Sequence, residues 1–131
     1  MTQEEKQLLL IDLCARLPYG VICRLSAKGA DVSVTEKLDL GGLEHFIVNT
    51  MDVLPYLRPM SSMTEEEKEK FESLVFTYDF GNVQFPIEHV IMYWDSFEEV
   101  LDWLNAHHFD YRGLIPMGLA LEAKEGMYKS E

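Results

Sequence analysis

Three segments of the 131 residues read as one device, a hydroxyl residue with glutamate three positions later at the head of a helix-like run: Thr2–Glu5, Thr64–Glu67 and Ser96–Glu99. In such a capping box the hydroxyl accepts from the amide three residues on, while the glutamate reaches back to the amide of the hydroxyl residue. Each box therefore marks a helix start. Behind Thr2, the residues Leu9, Leu10, Leu13, Cys14 and Leu17 recur at helical spacing. Acids at the start and Arg16 near the end suit the helix dipole. Pro18 ends the run, because the residue before a proline avoids helical backbone. Behind Thr64, Phe71, Leu74 and Val75 give a charged helix one apolar edge, with Glu66–Lys70 as a favourable i,i+4 pair. Behind Ser96, the residues Phe97, Val100, Leu101, Leu104 and His108 fall on one face.

Between the first two boxes the period changes. Gly20 to Leu25 reads as a strand and Lys28-Gly29-Ala30-Asp31 as a turn. Val32, Val34, Leu38 and Leu40 form a second strand whose alternation shifts between Val34 and Leu38, as a bulge allows. Asp39-Leu40-Gly41-Gly42-Leu43 offers the glycines of a tight hairpin, which would return Leu43 to Val48 as a third strand. The expectation is a three-strand antiparallel meander over residues 20–49. Pro55 and Pro59 bracket a segment that excludes long regular helix and is expected to cross the surface or form one short turn. Phe80-Gly81-Asn82 reads as a turn, Gly118 to Ala123 as a short edge strand, and the chain from Lys124 as a frayed tail. The class is α+β, a small antiparallel sheet packed with about three helices, in one domain spanning residues 1–131.

With 47% apolar and 26% charged residues the chain has the balance of a globular protein. Its net charge of -12 argues against sequence-independent binding of nucleic acid, which depends on lysine and arginine at phosphates. The same charge argues against an anionic membrane surface. From Phe71 to Tyr111, a stretch of 41 residues holds no lysine or arginine, eight carboxylates and eleven of the fifteen aromatic rings. Such a surface favours cationic partners. Tyr93, Trp94 and Trp103 are of the kind favoured at interface hot spots, although most rings in a domain this size belong in the core. Cys14 and Cys23 form neither a disulfide framework nor a metal knuckle and read as reduced, largely buried thiols. The acidic start carries no secretory signal and no segment has the length of a membrane span, so a cytoplasmic protein is expected.

The richest chemistry lies in Asn105-Ala106-His107-His108-Phe109-Asp110-Tyr111-Arg112. Histidines and a carboxylate can bind a divalent metal or exchange protons. Adjacent helical residues point about 100° apart, however, so His107 and His108 do not share one ion readily. The plainer reading packs one histidine at the helix end and leaves the other exposed near the negative pole. His45 and His89 add no spacing signal. Asp110 and Arg112 suit a salt bridge that fixes the loop, or Arg112 an anion-binding role. Ser61, Ser62 and Thr64 have no neighbouring base and read as caps. No P-loop, dinucleotide fingerprint, paired CxxC or nucleophile elbow occurs, so no cofactor is expected.

Two longer blocks, Pro55 to Glu67 and Trp103 to Ile115 continuing through Gly118 to Ala123, join the opening Asp12 to Val21 in a shared pattern. They resemble a family of small uncharacterised proteins from gut bacteria of the Bacteroides group and their phages and mobile elements. The resemblance covers somewhat under half the chain. It implies an intracellular, mobile-element accessory protein and no particular site. The residues favour a non-enzymatic binding or regulatory protein that engages a basic protein through Glu98, Glu99 and Asp102, with Trp94, Trp103 and Arg112 beside them. The alternative is a small metal-dependent hydrolase using His107, His108 and Asp110. A third reading gives the acidity to solubility alone.

Overall fold

The computed structural model describes residues 1–76 and 94–128. Helix α1 (Gln3–Arg16) starts at the first capping box: the Glu5 amide donates to Thr2 Oγ1 at 3.0 Å and the Thr2 amide to Glu5 Oε1 at 2.8 Å. Leu9 and Leu13 bury one face of it. Cys14 lies on the other side and is exposed, contrary to the expected burial, because it follows Leu13 by a quarter-turn around the helix. Cys23 is buried, and that burial pushes its thiol up to about 12.

Strands β1 (Ile22–Ala27) and β2 (Ser33–Lys37) form the expected hairpin, with Gly29 at a left-handed φ of 82° in its turn. Their register runs unbroken from Ile22↔Lys37 to Ser26↔Ser33, so the apparent shift is no bulge. Val34 simply stands beyond the core, whereas Leu38 is inside it.

The second glycine hairpin does not form. Asp39 caps helix α2 (Leu40–Ile47), its Oδ1 accepting from the Gly42 amide at 2.7 Å. Leu43 and Phe46, one turn apart, are both buried. Gly42 serves packing: a Cβ there would lie 3.2 Å from Leu38 Cδ1. Asn49, at a left-handed φ of 67°, follows the helix end. The third strand is therefore displaced to β3 (Met51–Leu57), which takes in Pro55 and the start of the segment expected to cross the surface. The Leu38 amide bonds the Val21 carbonyl, so alternation turns residues 21, 23 and 25 towards β2 and residues 22, 24 and 26 towards β3. Pro55, opposite Cys23, then faces its missing N–H away from β1.

Beyond β3 lies β4 (Leu121–Glu122), parallel to it, which completes a mixed sheet in the order β2-β1-β3-β4. The tail is not loose up to Tyr128. The Ile22 amide donates to Tyr128 Oη at 2.8 Å, and Oη donates to the Tyr56 carbonyl at 2.7 Å. Ile22 and Tyr56 would form the next rung after Cys23↔Pro55, and the phenol takes the place of that rung.

Helix α3 (Glu65–Phe76) starts at its box, with Glu67 N to Thr64 Oγ1 at 3.2 Å and Thr64 N to Glu67 Oε1 at 2.9 Å. Its exposed ion pair is Glu65–Lys68 at 3.7 Å in place of Glu66–Lys70. Helix α4 (Trp94–Ala106) already includes Ser96, so that residue is not its cap. Its backbone ends before His108, which sits outside the helix at a φ of 60°. The Phe80–Asn82 turn and Tyr93 lie outside the described residues. The described residues thus hold four α-helices and four strands, an α+β fold with one more helix than anticipated. One core joins Leu9 and Leu13 of α1, Val21 and Leu25, Leu43 and Phe46 of α2, Val53 and Leu57 of β3, and Leu114 and Leu119. Among the described residues no helix is long and apolar enough to cross a membrane.

Candidate functional site

The acids of α4 stand where the sequence places them. Glu98, Glu99 and Asp102 are all exposed. The helix segment from 94 to 106 contains no basic residue. Helix α3 packs beside it and exposes Glu65, Glu66, Glu69 and Glu72, accompanied by Lys68 and Lys70.

Rings hold these two helices together. Trp103 stacks on Phe71 of α3 at 6.1 Å, on Phe109 at 5.7 Å and against His107 at 4.4 Å. Its ring is half-buried, so Trp103 supports the acidic helices more than it presents a platform. The side chain of Trp94 lies outside the described residues. The Arg58 guanidinium also packs on Phe109, 4.3 Å from the ring centre, and forks onto Glu67 at 2.8 and 2.6 Å. That fork holds the Glu67 carboxyl down to about 2.

Arg112 is not a free anion-binding group, and its partner is not Asp110. Its Nε donates to Asp12 Oδ1 at 3.1 Å and its Nη2 to the Tyr111 hydroxyl at 3.0 Å. The other oxygen of Asp12 accepts from Arg16 Nε at 2.9 Å, and both Asp12 and Arg16 are wholly buried. Arg16 also donates to the Phe109 carbonyl at 2.6 Å. Tyr111 lies between the two guanidiniums, 5.3 Å from that of Arg16 and 4.9 Å from that of Arg112, and donates to Asn105 Oδ1 at 2.8 Å. Asp110 instead accepts from the amides of Leu114 and Ile115 at 2.8 and 2.9 Å, capping the following turn. This buried network locks the corner after α4 onto α1. Asp12 gave no sign of it in the sequence beyond its i,i+4 spacing to Arg16.

The three residues of the metal reading do not converge. His107 Nδ1 donates to the Trp103 carbonyl at 2.9 Å, and its ring belongs to the aromatic stack. His108 is buried, stacked on Tyr128 at 3.8 Å, with no partner for Nδ1 among the described residues. Burial first, and then the charges of Arg16, His107 and Arg58, pull His108 down to about 4, so it is neutral at pH 7. Asp110 is spent on its two amides. Among the described residues no three histidine, cysteine, aspartate or glutamate side chains group as a metal requires. An open cleft of about 1360 Å³ runs beside His107 and Tyr128, but Lys37, Arg58, Glu66 and Glu125 mix both signs along its walls. It selects no ligand charge.

Comparison with protein-family models, with curated proteins and with solved structures finds no match.

Proposed function

We propose that this is a non-enzymatic binding or regulatory accessory protein that engages a basic protein partner through the acidic faces of α3 and α4. The observation that carries the reading is the joint exposure of Glu98, Glu99 and Asp102 on a helix segment without a basic residue. The stack of Phe71, Trp103, His107 and Phe109 supports it by holding a second acidic helix alongside. Acidic surfaces of this kind steer cationic proteins and repel phosphates. The sequence resemblance adds a phage or mobile-element setting, in which a cytoplasmic, basic, DNA-handling host protein is a fitting target.

The test is retention of proteins from a bacterial lysate, washed at low and high salt, on the natural chain and on a Glu98→Lys/Glu99→Lys/Asp102→Lys variant. A basic protein held at low salt should be lost on the variant. Three reversals at roughly 0.5 kcal/mol each weaken binding about tenfold. Equal retention on both chains would sink the reading.

A further inference from the structure

Strand β2 is the edge of the sheet, exposed at all five residues, and among the described residues only β1 pairs with it. Val34 lies opposite the buried Leu25 yet is 51% exposed, and Val32 beside it is 74% exposed. The Leu38–Val21 hydrogen bond sets the alternation: residues 34, 36 and 38 address β1, while 33, 35 and 37 turn their N–H and C=O groups outward. Open edges of this kind invite another strand unless charges prevent it. Here the edge carries Glu36 and Lys37, with Asp31 just before it.

From the pattern Asp31-Val32-Ser33-Val34-Thr35-Glu36-Lys37 we infer that β2 is the edge through which two copies of this chain pair, antiparallel, about a two-fold axis at Val34. In that register Val34 meets Val34 of the second copy. Ser33 meets Thr35, and those are residues whose backbone groups point outward, so each such pair exchanges two hydrogen bonds. The valine pair falls at the non-hydrogen-bonded position, where side chains approach most closely. Asp31, at the bend two residues before the strand, comes to the Lys37 end of the second copy, giving two reciprocal opposite-charge pairs just beyond the ladder. An axis at Ser33 leaves Asp31 opposite Thr35 and makes no opposite-charge pair, and two further symmetric registers bring like charges together. An axis at Glu36 sets Glu36 against itself, and an axis at Thr35 sets Asp31 against Asp39. The four-stranded sheets of two copies would join into one continuous sheet.

Sedimentation of the full chain from micromolar to millimolar concentration tests this. The expected result is a reversible dimer. Thr35→Pro removes an outward N–H without touching the β1 ladder, and should raise the dimer dissociation constant at least about tenfold while circular dichroism shows the monomer still folded. Asp31→Lys and Lys37→Asp should each weaken the dimer, and the two together in one chain should restore it. A monomer at every concentration would overturn the inference, as would a dimer indifferent to Thr35→Pro or a charge swap that fails to restore pairing. A strand of some other protein on this edge would show as a monomeric natural chain, and counts against it equally.

Discussion

Asp12 holds two guanidinium groups, one on each oxygen, inside a protein whose net charge is -12. One carboxylate against two arginines leaves local positive charge, which the Tyr111 ring between them and the Phe109 carbonyl partly absorb. Removing Asp12 strands the fully buried Arg16 without a counter-charge. Asp12→Ala should therefore cost about 3–5 kcal/mol, read as a shift in the urea unfolding midpoint. His108 carries the second residue-scale prediction. Its folded form sits at about 4 against an ordinary 6.5, so the unfolded chain takes up a proton first. Stability from this group is complete above pH 6.5 and is lost as pH falls towards 4, on the order of 3 kcal/mol in all. Glu67, held at about 2 by Arg58 against an ordinary 4.5, loses its contribution only below 4.5. His108→Asn keeps a residue that tolerates the positive φ and cannot titrate. Melting temperatures taken from pH 7 down should lose the upper step in this variant and keep the lower one; an unchanged upper step would show that another group causes it.

At the scale of elements, the joints are made by single side chains acting over long stretches of sequence. Tyr128 stands in for the rung that β1 and β3 lack between Ile22 and Tyr56, and its ring covers His108. Tyr128→Phe keeps the stacking and deletes the hydroxyl, leaving the Ile22 amide and the Tyr56 carbonyl without that partner. The cost should be about 1–3 kcal/mol. Hydrogen exchange should show the Ile22 amide losing protection while mid-strand amides such as Leu25 keep theirs; uniform loss would mean the phenol supports the whole fold. The corner after α4 is a joint of the same sort. Arg58 links β3 to it through the His108 carbonyl and to α3 through Glu67, so one strand end orients both acidic helices.

Across the whole molecule, charge and edge geometry set apart two surface regions for which different uses are proposed. The acids of α3 and α4 serve the proposed basic partner, and the salt dependence of that contact is the property that charge reversal removes. The β2 edge offers backbone pairing instead, which charge reversal on α4 should leave untouched. The helix starts at Thr2 and Thr64, the turn at Gly29 and the α+β class were legible in the residues, because capping and turn chemistry are settled within about four positions. The exposure of Glu98, Glu99 and Asp102 was legible for the same reason, through helical periodicity. Gly41 and Gly42 misled: alone they suit a hairpin, but the Asp39 cap and the burial of Leu43 and Phe46 favour a helix against the sheet. Where His108 and Arg112 point, and that the tail is latched, depended on partners as distant in sequence as Asp12, 100 residues from Arg112, and Ile22, 106 from Tyr128. Local chemistry thus determined where elements begin. Only tertiary structure decided which charged and polar groups were buried together, since burial requires each to find its partner, and here those partners come from opposite ends of the chain.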